Sequence, residues 1–345
     1  MSNEQRILAA LDIGATKVRA MVAQAFDDDA VYSLGYADAP SEGIRRGVIV
    51  NMDKITRVIA AVVEDAEAQA NVRVDSLIVG ISGDHIRSID SQGVINVSRS
   101  DNEITASDVE RAIDTTRDVA IPPDREIIHV IPQEFTVDNQ TGIGAPVGMN
   151  GSRLEAHTHI VTCSSASAKN VFRALERCDL ALGGLALESF AAAKSALTEE
   201  EMDLGVALVD IGGGATEIAV FKNGCIRYSG CVSLGGQNIT NDIAIGLRTT
   251  VDEAERLKIT HGAALASHTR HNEMIEVAAS AGRPARSIAR SVLATIIEAR
   301  AEEILSLVGR ELRRVGLDDS LAAGVTLIGA GAKLPGIVDL AEQTL

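Results

Sequence analysis

The sequence predicts an α/β protein of two lobes built on a duplicated core, with a small α+β unit inserted into the first lobe. Three observations carry this reading. The phrase LDIGATKVRA at Leu11–Ala20 returns, altered, as VDIGGGATEIAVF at Val209–Phe221. Strand-like runs alternate with helix-period stretches along most of the chain, the pattern of α/β layers. From about Asp84 to Thr162 the texture changes to short alternating segments around one helix.

Ile7–Leu11 and Val18–Ala23 read as a hairpin, and Val31–Ala37 as a third strand. The loop EGIRRGVIVN follows. Asp53–Gln69 carries Ile55, Val58, Ile59, Val62 and Val63 at helical spacing, with Asp53 as N-cap. Ser76–Ile81 is a β-branched run that ends in the loop signal SGDH. Inside the insertion, Gly93–Val97, Glu126–Val137 and Arg153–Val161 read as strands. A helix starts at Thr105, with Asp108 completing a capping box and Val109, Ala112 and Ile113 as its apolar stripe. DNQTGIGAPVGMNGSR reads as exposed turns. Ala166–Cys178 and Leu187–Leu197 read as helices, and Leu204–Val209 as the strand entering the second hairpin, which continues through Cys225–Val232. LGGQNITNDIAIGL is a glycine turn opening a helix, and Thr250 with Glu253 forms a capping box for Val251–His261. Glu273–Arg283 has weak periodicity. Arg286–Val315 reads as one long helix with Ile288, Val292, Ile296, Ile304, Leu305, Val308 and Leu312 on one side. Val325–Ile328 is a strand, GAGAKLPG a turn, and Ile337–Leu345 the start of a helix.

At 345 residues and 46% hydrophobic, the chain can bury two or three sizeable cores. Aromatics are 2% and Trp is absent, so those cores rest on aliphatic side chains. A formal net charge of −16 argues against broad nucleic-acid binding and against adhesion of the whole surface to anionic lipid. Arg310, Arg313 and Arg314 leave room for a local basic patch. Cys163, Cys178, Cys225 and Cys231 form no Cys-x-x-Cys pair and no zinc spacing, and read as thiols in a reducing cytosol. No basic-then-apolar leader and no long uninterrupted apolar window occurs, so a soluble, cytoplasmic chain is expected.

The repeated hairpins carry the chemistry. The first loop offers Asp12, Gly14, Ala15, Thr16 and Lys17. A carboxylate can hold magnesium through water, a threonine can donate to a phosphate oxygen, and a lysine adds a point charge. Read alone, a strand ending in Asp-x-Gly is usually only a turn. The second loop offers Asp210, Gly212, Gly213, Gly214 and Thr216. Consecutive glycines cost conformational entropy, and close approach of backbone N–H groups to phosphate gives that cost a reason. Together the loops suggest a nucleotide held between two halves. Gly329-Ala330-Gly331 follows a strand, but no dinucleotide fingerprint surrounds it, and Gly142–Gly148 is a similar decoy. No P-loop exists. Glu255 and Lys258 share a helix face and read, on spacing alone, as a surface ion pair. His157 and His159 lie on one side of a strand without a third metal ligand.

In order, LDIGATK, LALESFAAAKSAL, VDIGGGATE, SLGGQNITNDIAIGL, AERLK and LIGAGAKLPG resemble the actin/Hsp70/sugar-kinase ATPase superfamily. EGIRRGVIVNMD, IPQEF, GGQNITNDIA and AERLKITHG are closer still to the FtsA family of bacterial cell-division proteins, over essentially the whole chain. The resemblance implies an actin-like, two-lobed ATPase fold of duplicated ribonuclease-H-like cores. It divides the chain into residues 1–83, the first-lobe core; 84–162, an inserted 1C-like subdomain; 163–195, the first core resumed; 196–237, the second-lobe core; 238–310, a 2B-like helical subdomain; and 311–345, the second core with its adenosine loop.

It implies ATP and magnesium as ligands. Asp12, Gly14, Thr16 and Lys17 match the first phosphate loop, and Asp210, Gly212, Gly213, Gly214 and Thr216 the second. Gly235 and Gly236 match the glycine turn beside the phosphates. Glu255 and Lys258 match ribose contacts, which reverses the ion-pair reading. Gly329, Ala330 and Gly331 match the adenosine loop, where Ala330 replaces the usual glycine. Glu188 matches a water-orienting residue. The family's further strand and helix, linker and membrane-binding amphipathic helix lie beyond the sequence given. The implied role is a filament-forming adaptor linking FtsZ to the inner membrane, with other division proteins meeting the insertion. A pilus-assembly relative and a small-molecule kinase of the same superfamily are the alternatives.

Overall fold

The computed structural model describes residues 6–26, 30–45, 47–98, 102–270, 272–278 and 284–345. Strand β1 (Arg6–Ile13) turns back as β2 (Lys17–Ala25), followed by β3 (Val31–Pro40). A short ribbon of β4 (Ile44–Arg45) and β5 (Val48–Ile49) leads to α1 (Met52–Ala70) and β6 (Ser76–Ile81). The inserted unit holds β7 (Arg87–Asn96), α2 (Ala106–Thr115), β8 (Arg125–Val137), β9 (Gln140–Ile143) and β10 (Arg153–Ser164). The first lobe resumes with α3 (Ser165–Glu176), β11 (Ala181–Leu187) and α4 (Glu188–Ala196). The second lobe runs through α5 (Glu199–Leu204), β12 (Val206–Ile211), β13 (Thr216–Lys222), β14 (Cys225–Val232), α6 (Gly236–Gly246) and α7 (Val251–His261). It ends with β15 (Met274–Val277), β16 (Arg286–Ala289), α8 (Arg290–Arg314), β17 (Val325–Ile328) and α9 (Ile337–Thr344).

The two large sheets repeat one topology. Their strand orders are β11-β6-β1-β2-β3 and β14-β13-β12-β17. In each, an antiparallel meander places its first strand beside a parallel newcomer, β6 next to β1 and β17 next to β12. Register repeats as well. Asp12 lies across from Arg19 and beside Gly80, while Asp210 lies across from Glu217 and beside Ile328. Side-chain alternation then sends each Asp and its partner to the same face of the sheet.

Each lobe owns a core. In the first, α1 buries Ile55, Ile59, Val62, Val63 and Ala66 in one cluster with Leu11, Val18, Val22 and Val79. In the second, Val209, Ile218 and Val220 join Leu293, Ile297, Ile304 and Leu305 of α8. Full burial of each aliphatic side chain contributes about 1.5–3 kcal/mol. Between them, Ala193 and Leu197 at the end of α4 pack with Val206, Leu208 and Phe221. Thus α4 leaves the first sheet at Glu188 and anchors on the second.

The insertion has its own core of Val97, Ile104, Ala112, Phe135, Val137, Leu154 and Ala156, yet it is tied to the second lobe. The buried His159 ring lies 2.8 Å from Asp90 Oδ1 through Nδ1 and 3.0 Å from Ser229 Oγ through Nε2. Ser88 Oγ donates to the Ser229 carbonyl at 2.9 Å, and Gln133 Nε2 to that of Ile226 at 2.8 Å. His159 therefore joins the insertion to β14. No cluster of three or more His, Cys, Asp or Glu suited to a metal ion is found among the described residues. All four cysteines are free.

Several local expectations are corrected. Asn51, not Asp53, caps α1, because its side chain accepts from Lys54 N. The Thr105–Asp108 box forms in full. At Thr250 the hydroxyl accepts from Glu253 N, while the Glu253 carboxylate is taken by Arg256 and Ala278 N. Arg286–Ala289 pairs with β15 instead of joining α8, so Ile288 lies on a strand. Val292 is 47% exposed and lies off the core stripe. The turn-rich run of the insertion contains β9, and neither β11 nor α5 was read from the sequence. Arg46 and residues 279–283, within segments considered above, lie outside the described residues. Among the described residues, no helix is long and apolar enough to cross a membrane.

Candidate functional site

The C-terminal ends of β1 and β12 open on one cleft of about 150 Å³. Asp12, Gly14, Ala15, Thr16 and Lys17 line it from the first loop; Asp210, Gly212, Gly213 and Gly214 from the second. Gly329, Ala330 and Glu188 also line it, whereas Thr216, Gly235, Gly236, Glu255, Lys258 and Gly331 of the expected set do not. The loops touch: a Cβ on Gly213 would overlap Thr16 Cγ2.

Other expected residues lie behind this lining. Gly236 N donates to the Gly212 carbonyl at 2.9 Å, and Gln237 N to that of Gly213 at 2.8 Å. A Cβ on Gly235 would lie 2.6 Å from Gly212 O and 2.8 Å from Gly213 O, so this turn braces the second loop only without side chains. Thr216 is buried and donates to the Leu234 carbonyl at 2.9 Å, holding the same turn. Lys258 Nζ reaches Glu255 at 2.7 Å, Thr240 Oγ1 at 2.8 Å and Gly236 O at 3.1 Å. With 16% of its side chain exposed, it ties α7 to the first turn of α6. Gly331 packs on Ile211.

The loop after β17 explains the alanine. Gly329 has φ +86°, where a Cβ would collide with Asp210 Oδ1 and lie 2.7 Å from Ile211 O. Ala330 has φ −67° and ψ −31° in the right-handed region, with its side chain exposed, so a methyl group is free of strain there.

The cleft is strongly acidic. Burial, then the charges of Asp12 and Asp210, push the Glu188 carboxyl up to about 8, against a Ser82 hydrogen bond and Arg19. Burial, then Glu188 and Asp210, raise Glu217 well above the carboxylate range, although it accepts from Gly83 N at 3.1 Å. Burial, then Asp12, raise Asp210, opposed by Arg19. Arg19 donates to Asp12 at 2.6 Å. The Lys17 ammonium is 2.6 Å from Asp38 on β3.

Six residues that line the cleft escaped the sequence reading: Arg19, Gly47, Ser82, Gly83, Ala215 and Glu217. Arg19 and Glu217 each stand seven positions after the loop Asp, so a superposition of the two repeats exposes them together. Ser82 and Gly83 belong to the SGDH loop signal.

Comparison with known proteins places this geometry in a family. Residues 83–162 match the family model "SHS2 domain inserted in FTSA", and residues 207–345 match "Cell division protein FtsA". The cell division protein FtsA of Pseudomonas aeruginosa is 40% identical over 338 residues, covering 98% of this chain and 81% of that protein. That of Neisseria meningitidis is 41% identical over 344 residues, covering 99% and 83%. That of Bacillus subtilis is 38% identical over 343 residues, covering 99% and 78%. The chain belongs to the FtsA family of cell division proteins. The FtsA-type SHS2 insertion is the unit holding β7 to β10 and α2. The fold is actin-like. The PilM–PilN type IV pilus biogenesis complex matches with TM-score 0.68 at 17% identity, over 98% of this chain and 85% of that one. MreB5 of Spiroplasma citri bound to ADP matches with TM-score 0.56 at 15% identity, over 96% and 87%.

Proposed function

We propose that the cleft binds ATP with magnesium, and that the chain is a filament-forming adaptor linking FtsZ to the cytoplasmic membrane at the division site. The carrying observation is the convergence of the Asp12 and Asp210 loops on one cleft, touching at Thr16 and Gly213. The adenine nucleotide in the MreB5 structure of the same fold supports it. Identity of 40% to FtsA proteins, against 17% to the PilM complex, favours division over pilus assembly.

Asp12 and Asp210 suit a hydrated metal ion: no cluster of three ligands forms among the described residues, but both carboxylates line the cleft and offer hard oxygen acceptors to an ion that keeps its own waters. One Glu217 oxygen, Oε2, is buried without a hydrogen bond among the described residues. Asp12 and Asp210 would hold the ion through water, and the ion would supply the positive charge that lets a triphosphate sit among carboxylates.

Backbone N–H groups of Gly14–Lys17 and of Gly213 and Gly214 would face the phosphates, with the Thr16 hydroxyl donating, while the Gly212 N–H donates to the Ala215 carbonyl at 3.0 Å and shapes the loop. Gly235 and Gly236 would hold the second loop in shape. Lys258 and Glu255 would meet the ribose, and Gly329–Gly331 the adenosine. Glu188 would orient the attacking water. Its raised pKa keeps it protonated at neutral pH when no cation is bound. Nucleotide then serves chiefly as a ligand selecting one lobe arrangement.

FtsZ would bind the helical part of the second lobe, at 238–310, and other division partners the insertion. Membrane contact would belong to a family segment outside these residues, placing the full-length protein peripherally on the inner membrane. Calorimetric titration with Mg-ATP tests the site: Asp210→Ala is expected to weaken binding strongly, and unchanged affinity counts against it. Co-sedimentation with FtsZ tests the partner.

A further inference from the structure

His85 follows β6 in the SGDH loop and is half-buried. Both ring nitrogens, Nδ1 and Nε2, are buried and make no hydrogen bond among the described residues. Such a ring is costly, about 1–3 kcal/mol for each unmet polar atom. Burial lowers its pKa from 6.5, with Arg125 and Arg87 adding to the effect against Asp84, so the neutral ring carries one donor and one acceptor.

The ring borders a second chamber, of about 20 Å³, adjoining the cleft. Gly47, Ser82 and Glu188 belong to both spaces. Apolar side chains of Ile13, Ile49 and Val171 form much of the remaining wall, with Ser167 as a further polar contributor. The volume just exceeds the roughly 10–15 Å³ that one water requires. His85, Ser82, Ser167 and Glu188 supply the two to four polar partners that an ordered internal water needs. Glu188 lies over Gly80, where a Cβ would come within 2.9 Å of its Cγ, and Ser82 hydrogen-bonds its carboxyl.

We propose that one buried water in this chamber bridges His85 to Glu188, making His85 a positioning residue for the Glu188 carboxyl. The water satisfies the imidazole and reaches the carboxyl through the chamber that Glu188 and His85 both line. With Ser82, it fixes the orientation in which Glu188 faces the cleft. The consequence for hydrolysis rests on the nucleotide reading of the cleft; the water site does not.

The test uses the full chain without nucleotide and again with Mg and a non-hydrolysable ATP analogue. A high-resolution crystal structure is expected to show one fully occupied water within hydrogen-bond distance of a His85 ring nitrogen and a Glu188 oxygen. In ¹⁵N spectra of the imidazoles, Glu188→Ala is expected to move the His85 resonances, because the bridged water loses its anchor. His85→Leu is expected to disorder the Glu188 carboxyl in the crystal, and His85→Gln to restore its position. A dry chamber overturns the proposal, as does a water touching His85 alone. His85 resonances unmoved by Glu188→Ala overturn it too, as does a Glu188 carboxyl equally ordered in both His85 variants. Should the analogue fail to bind while the water is present, the nucleotide reading fails and the water site stands.

Discussion

Gly329→Ala tests how the loop after β17 controls Asp210. Gly329 sits at φ +86°, a left-handed conformation that costs a non-glycine residue about 1–2 kcal/mol. The added Cβ would collide with Asp210 Oδ1 and lie 2.7 Å from Ile211 O. The second neighbour is backbone and cannot rotate away. Overpacking of this kind costs about 1–3 kcal/mol, for a total of about 2–5 kcal/mol. Relief requires Asp210 to turn or β17 to withdraw from β12, and both disturb the acidic end of the cleft. Denaturant unfolding is expected to show that loss, and titration with Mg-ATP to show affinity weakened at least tenfold, or about 1.4 kcal/mol. Ala330→Gly is the control: its right-handed backbone and exposed side chain predict binding within about twofold of wild type. Gly329→Ala with wild-type stability and affinity would refute the reasoning.

Other perturbations probe separate parts. Lys258→Ala removes three hydrogen bonds at a side chain with little solvent contact and is expected to weaken nucleotide binding by about 1–3 kcal/mol; calorimetry showing no loss returns Lys258 to a tie between helices. Glu188 holds its proton to about 8 when folded against 4.5 in the ordinary state. Its contribution to stability is therefore complete below pH 4.5 and is lost as pH rises toward 8, by at most about 1.4 kcal/mol per pH unit. Urea midpoints across that window should fall less steeply in Glu188→Gln. Ser229→Ala leaves His159 Nε2 unpaired in a buried setting and is expected to cost about 1–3 kcal/mol. Hydrogen exchange should then rise along β7 and β10, and uniform protection would contradict the docking role.

What could be read from the sequence follows how local each cause is. The start of α2 was legible because Thr105 and Asp108 settle it between themselves. The hairpins were legible because each is a continuous run with a glycine-rich turn. Strand β11, ALGGLAL, has two glycines and little β-branching; it extends because β6 offers a parallel edge, a cause lying a hundred residues away in sequence. RSIA before α8 has no helix-breaking residue, and only β15 pulls it into a strand.

The site divides the same way. Asp12 and Asp210 announced themselves through the repeat. Arg19 and Glu217 were present at equal spacing, but their importance appears only when the hairpins set them beside the aspartates. The roles of Gly235, Thr216 and Lys258 in shaping the second loop depend on contacts between α6, α7 and β13, which no spacing rule conveys.

The most direct measurement is a crystal structure of this chain with magnesium and a non-hydrolysable ATP analogue. The account predicts phosphates between the Thr16 and Gly213 backbones, with the ion's waters on Asp12 and Asp210. A nucleotide bound elsewhere, or phosphates touching one loop while the other aspartate faces solvent, would contradict it.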